Sequence, residues 1–190
     1  MIITYHGDNY FRLQAGNTIV LVDPTNQRSF KGAVLVLNTI KPADTEPPEN
    51  NEPFWIDYAG EYEIQNVKVR GFNAGFEDDK KKTVYLINFD EMNVAILGHI
   101  SREPNAEIQE HLKNADCLIV PASGKPWLPI PTAAKLVRQL EPSIIIPSLY
   151  GSNLKIFLKE FNGESQPEEK LVFKKKDLKP NAMMIKCLKA

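Results

Sequence analysis

Apolar and polar positions change their rhythm about halfway along this chain. In the first half, short β-rich segments at residues 2–5, 10–13 and 18–22 are separated by turn residues at Gly7-Asp8-Asn9 and Ala15-Gly16-Asn17. Residues 33–37 form an unbroken apolar run, the pattern of a strand covered on both faces. Residues 61–64 and 67–70 flank Gln65-Asn66 and predict a tight hairpin, and residues 83–89 and 93–97 predict another. Helical spacing enters only afterwards. Ile108, His111, Leu112 and Ala115 predict a helix over residues 104–114, with Ser101 or Glu103 near its start. Further helices are expected at 131–140 (opening at Thr132) and 153–161, alternating with buried strands at 117–120 and 143–147 and closing strands at 171–173 and 184–188.

A β-meander followed by β-α-β-α-β-α-β predicts two sheets packed face to face with helices outside, a four-layer α/β domain over residues 1–190. No fixed-period repeat or separating linker interrupts it. Residues 38–53 break the pattern with four prolines and four acidic residues directly after a buried strand, so a loop is expected there. Loops in that position often carry function.

A chain of 190 residues should bury roughly 70% of its unfolded surface without staples. Its 23 basic and 24 acidic side chains leave a net charge of −1, which gives no general attraction to nucleic acid or anionic lipid. Two cysteines cannot make a disulfide framework, and no apolar run reaches the roughly 18 residues of a membrane span. A soluble, cytoplasmic protein is expected.

Several segments together resemble the metallo-β-lactamase fold, in its ascorbate-6-phosphate lactonase-like, metal-dependent hydrolase branch. They are Ile3-Thr-Tyr-His-Gly-Asp-Asn-Tyr-Phe-Arg12, Ile19-Val-Leu-Val-Asp-Pro24, Gly60-Glu-Tyr-Glu-Ile64, Val94-Ala-Ile-Leu-Gly98, Asp116-Cys-Leu-Ile-Val-Pro121 and Pro142-Ser-Ile-Ile-Ile-Pro147. Their order and spacing carry the resemblance from Ile2 to about Phe173. It implies an αββα sandwich with a metal site at one edge, built from a His-x-His-x-Asp-His run, a later His, a bridging Asp and a final His. Two divalent ions held there activate a water for hydrolysis.

Only three histidines are present, and none lies between His6 and His99. By the resemblance, the ligand positions fall on Asn38, Ile40, Pro42, Ala43, Phe76, His99 and Leu149. That occupancy implies a catalytically inactive, metal-free relative acting as a binding, scaffolding or regulatory module. Ile40, Phe76 and Leu149 are expected to close the old cavity with hydrocarbon. The alternative is a hydrolase of esters, lactones or phosphodiesters with a rebuilt mononuclear site, zinc or another divalent ion, around His99. His6, Asp8 and Asp44 are the further candidate ligands there; in the metal-independent variant of that reading, His99 acts as acid or base with Asp8, Asn38 or Asp44.

By the same resemblance Asp23 is expected to support backbone in the site wall; His111 is expected to serve its helix terminus, and Cys117 to be buried. The loop serines lack a nucleophile elbow, although Ser148 with His99 is a conceivable dyad. Phe54, Trp55, Trp127 and Tyr150 are candidates for a surface that meets a protein partner or a second copy. Lysines 80–82 and 174–176 leave a nucleic-acid-binding module as a further alternative. No membrane partner is expected.

Overall fold

The structure, a computed structural model, describes residues 1–26, 30–49, 52–179 and 182–190. In chain order the strands are β1 (Ile2–Tyr5), β2 (Phe11–Ala15), β3 (Thr18–Val22), β4 (Leu35–Leu37), β5 (Ile40–Lys41), β6 (Phe54–Ile56), β7 (Gly60–Ile64), β8 (Val67–Glu77), β9 (Lys80–Phe89) and β10 (Met92–Ile96). Then come helix α1 (Ala106–Leu112), β11 (Cys117–Pro121), α2 (Ile130–Leu140), β12 (Ile144–Ser148), α3 (Leu154–Lys159), β13 (Leu171–Val172) and β14 (Met184–Ile185).

One sheet runs β13-β1-β2-β3-β4-β6 and the other β14-β12-β11-β10-β9-β8-β7, with β5 paired to β9. The expected sandwich of a mixed α/β fold is therefore present. Between the sheets lie Ile3, Leu13, Val20, Leu35 and Leu37 from the first, with Val94, Ile96, Ile119 and Ile146 from the second. The helices described all join the cluster on the outer face of the second sheet. There Ile108, Leu112, Leu136, Val137, Leu140 and Phe157 meet Ala95, Leu118, Val120 and Ile145. Burial of each large apolar side chain contributes roughly 1.5–3 kcal/mol. Strands β10, β11 and β12 are parallel and covered on both faces, which is why they read as unbroken apolar runs. The first sheet's outer face carries Tyr10, Ile19, Leu21 and Val36 under Phe30, Ala33 and Trp55.

Four local expectations are corrected. The Pro-rich segment is not loop throughout, because Ile40 and Lys41 pair with Lys82 and Lys81 of β9, and β6 follows it as a parallel neighbour of β4. The hairpin of β8 and β9 runs out to Asp78-Asp79, past the limits the apolar pattern gave, because its outer rungs are polar. Helix α1 is capped by Asn105, whose Oδ1 accepts from Ile108 N at 2.9 Å; neither Ser101 nor Glu103 does this. Helix α2 begins without a side-chain cap, and Thr132 lies inside it. Among the described residues, no helix is long and apolar enough to cross a membrane.

Parallel strands place their C-terminal ends together. The residues after β3, β4 and β10 thus meet at one end of the sandwich, where the turn at Gly7–Asn9 and the residue after β12 also arrive.

Candidate active site

Asp23 turns out of β3 in a left-handed conformation (φ 42°) and is largely buried, its side chain 9% exposed. Its Oδ1 accepts from Thr39 N at 2.7 Å, and its Oδ2 accepts from Asn9 Nδ2 at 2.6 Å and from Thr39 Oγ1 at 2.5 Å. Asn9 is placed by the tight turn in which Tyr10 N donates to Gly7 O at 2.8 Å. The expected support of backbone by Asp23 is thus present at Thr39. Burial pushes the Asp23 carboxyl above its ordinary value, while His99 and the donors from Thr39 and Asn9 pull it down. Three convergent donors identify the carboxylate as the form this geometry holds.

His99 follows Gly98 at the end of β10. Gly98 has φ +58°, and a Cβ there would lie 2.3 Å from Thr39 Cβ and Oγ1. Only glycine lets the two segments approach this closely. Thr39 Oγ1 stands 2.7 Å from His99 Nδ1, with Asp23 Oδ2 at 3.6 Å from the same nitrogen. Because the carboxylate can only accept, the single Thr39 hydroxyl proton goes to Asp23. His99 Nδ1–H must therefore donate to Thr39, and Nε2 carries the lone pair. Burial pushes the imidazole below its ordinary pKa; Asp23, Asp44 and Asp8 oppose this and Lys82 reinforces it. The neutral ring is the form favoured near neutral pH.

Trp127 covers that ring edge-on, with centroids 4.8 Å apart, and Lys82 Nζ lies 5.5 Å from the Trp127 ring centroid. Lys82 is a buried lysine whose Nζ donates to Glu77 Oε2 at 2.7 Å and to Ser101 Oγ at 3.1 Å. Glu77 also accepts from Ser101 and Arg102, and these donors, Lys82 first, hold its carboxyl down at about 2.

The other expected residues divide. Asn38 is buried, donates to Asp57 Oδ1 at 2.8 Å and leaves its own Oδ1 without a partner. Asp8 and Asp44 are exposed and influence His99 by charge alone. Ile40 sits half-buried in β5, Pro42 is exposed and Ala43 half-buried. Leu149 is half-buried with φ 53°, and its N donates to Asp8 O at 2.7 Å. Phe76 is 62% exposed, so the expected hydrocarbon plug of Ile40, Phe76 and Leu149 does not form. Beside Trp127, a cleft of about 410 Å³ opens among Tyr5, Asp8, Lys125, Leu149 and Tyr150.

Phe54 is exposed, whereas Trp55 packs edge-on against Phe30 at 5.4 Å and belongs to the covering of the first sheet. Tyr150 donates its hydroxyl to Leu188 O at 2.6 Å. Ser148 is fully buried, without a hydrogen-bond partner for its Oγ, and makes no dyad with His99. His6 lies tilted against Tyr10 with ring centroids 4.8 Å apart, and His111 stacks on Phe72 at 5.2 Å. Cys117 and Cys187 are free and buried. Thr39, Asn9 and Lys82 were not legible as site residues, since only the meeting of separate strands gives them their roles.

Among the described residues, no group of three or more His, Cys, Asp or Glu side chains could hold a metal ion. The residues present do not fit the two-ion set that the resemblance implied.

A family profile, the β-lactamase superfamily domain, matches residues 2–148. A UPF0173 protein of Pyrococcus furiosus is 31% identical over 125 residues, covering 66% of this chain; the chain spans 58% of that relative's length. Among solved structures, a Thermotoga maritima protein described as a candidate Zn-dependent hydrolase of the metallo-β-lactamase superfamily superposes with a TM-score of 0.79. It is 20% identical, over 99% of both chains. A candidate metal-dependent hydrolase from Parabacteroides distasonis gives 0.67 at 19% identity, over 98% of this chain and 93% of its own. These likenesses overturn the expectation of an inactive, metal-free scaffold: the structures sharing this fold bear the names of hydrolases, and missing histidines do not themselves establish lost hydrolysis.

Proposed function

As the chain belongs to the metallo-β-lactamase superfamily, we propose that it is a hydrolase of an ester, lactone or phosphodiester, with its chemistry centred on His99. The observation that carries this reading is the Asp23–Thr39–His99 series of hydrogen bonds, which holds one tautomer and leaves Nε2 as a base. In this reading Nε2 takes a proton from water as the water oxygen attacks the substrate's carbonyl carbon or phosphorus. The imidazolium so formed is stabilised by Asp23 through Thr39. A positioned base of this kind contributes on the order of 10²–10⁴ in rate. The substrate approaches through the cleft lined by Trp127 and Tyr150. A cytosolic location is part of the same proposal, supported by the two unpaired, buried cysteines.

The test is hydrolysis of p-nitrophenyl acetate, a γ-lactone and bis(p-nitrophenyl) phosphate, with chelator and with added zinc or manganese. Turnover in chelator that His99→Ala reduces by roughly 10²-fold or more is the expected result. Stoichiometric metal in the purified protein, lost together with turnover in His99→Ala, would instead assign His99 as the ligand of a rebuilt mononuclear site. Absence of turnover on every substrate in both conditions would overturn the hydrolase reading.

A further inference from the structure

Tyr58 and Phe76, two aromatic side chains exposed at 49% and 62%, line a cleft of about 380 Å³ with Asn73, Lys81 and Thr83. A bulge in β8 creates it. Asn73 stands opposite Thr83 and Gly75 opposite Lys82, so Ala74 is an extra residue. Phe72 and Ala74 pack with the helix-side cluster, and simple alternation would send Phe76 there as well. One extra residue reverses the face that every later side chain takes. Phe76 and its partner Lys81 therefore turn to the other face. Gly75 permits this with φ +119°, a conformation that side-chain-bearing residues rarely adopt.

The charges on that face are unbalanced. Lys81 stands directly opposite Lys41 of β5, and like charges in that relation repel. Lys41 is matched by Glu46 at 3.0 Å and Asp57 at 3.1 Å. Among the described residues Lys81 makes no ion pair; its Nζ lies 5.0 Å from the Tyr58 ring centroid. Asn73 Oδ1 accepts from Gly75 N at 3.0 Å, which leaves the Asn73 amide donors for a ligand. A lysine without an ion pair beside two partly exposed aromatic rings suits a ligand that is both planar and anionic, one able to draw Lys81 off the Tyr58 ring. Phosphate alone would leave the rings uncovered, and an uncharged ring would leave Lys81 unmatched.

We propose that this cleft binds a nucleotide, its base stacked on Phe76 and Tyr58 with its edge at Asn73, and its phosphate at Lys81. The volume lies within the range usual for small-molecule sites. Thr83, on the cleft wall, donates its N–H to Thr39 O at 2.9 Å, and Thr39 holds His99. The subsite therefore adjoins the candidate active site. Only its role in supplying a phosphodiester substrate rests on the hydrolase reading; the binding itself does not.

Equilibrium dialysis of the full chain against AMP, adenosine and inorganic phosphate tests the subsite without requiring turnover. AMP should bind at least tenfold more tightly than adenosine or phosphate. Phe76→Ala and Lys81→Ala, both surface changes, should each weaken AMP binding by roughly tenfold, in line with base–aromatic stacking and phosphate contacts. A hexa-adenylate probe separates sources: affinity equal to that of AMP supports a free nucleotide, and tenfold tighter binding supports a single strand, with the same subsite in both cases. AMP binding no tighter than that of its two parts, or unchanged in both variants, overturns the proposal. That failure leaves the ester and lactone assays, and with them the hydrolase reading, untouched.

Discussion

Thr39 Oγ1 is 2.7 Å from His99 Nδ1 and 2.5 Å from Asp23 Oδ2, so one hydroxyl joins the ends of β4, β10 and β3. Replacing it with valine keeps the shape and removes both hydrogen bonds. Thr39→Val should destabilise the fold by about 1–3 kcal/mol, because the largely buried His99 and Asp23 each lose a partner. Activity should fall by roughly tenfold to a hundredfold through loss of the fixed tautomer. Urea denaturation and turnover measured on the same preparation check the two effects.

Gly98→Ala places a methyl group where Thr39 already stands, on a left-handed backbone. The backbone strain alone is worth roughly 1–3 kcal/mol, and the overlap with Thr39 adds to it. The denaturation midpoint should drop by more than in Gly16→Ala, where φ is also positive at +56° but nothing lies within 4 Å of the added Cβ. Equal losses in the two variants would mean that the contact with Thr39 contributes nothing.

His99 is held below its ordinary pKa mainly by burial. The unfolded chain therefore takes up a proton below about pH 6.5 that the folded chain still refuses. The stability linked to His99 is complete above that pH and is lost as pH falls through the folded value. His99→Gln should flatten this part of the pH–stability curve. Asp23, raised by burial, has the opposite sign: its contribution is complete below its ordinary value and declines as pH rises through the folded one.

Trp127 shields the imidazole. Since burial is the first cause of the depressed His99 pKa, Trp127→Ala should move that pKa upward toward 6.5. NMR titration of the His99 ring carbons measures the shift directly, and no movement would place the shielding elsewhere.

Glu77 gives a separate acid limb. Its carboxyl is held at about 2 by Lys82, Ser101 and Arg102, against an ordinary value of 4.5. The stability it contributes is complete above pH 4.5 and is lost as pH falls toward 2. Glu77→Gln should remove that limb and leave the one due to His99 in place.

The parallel strands β4, β10, β11 and β12 were legible because covering on both faces forces unbroken apolar runs. Strand β6 was not, because three residues beside Pro53 at a sheet edge are too few to set a period. The outer rungs of β8 and β9 were not either, since exposed ladders tolerate lysines and leave no alternation to find. His99 stood out by its place after Gly98. Thr39, an ordinary threonine in the sequence, becomes part of the site only when Asp23 and His99 close on it from other strands. Phe76 was misplaced for a related reason: a single extra residue at Ala74 decides its face, and the apolar pattern does not register the bulge. The count of three histidines ruled out the usual ligand run but did not decide activity.

The most direct test of a hydrolase centred on His99 is kcat/KM for wild type and His99→Ala, measured side by side with chelator on whichever substrate of the panel turns over fastest. The variant should lose roughly 10²-fold or more. Equal kcat/KM in the two proteins would contradict a catalytic base at His99.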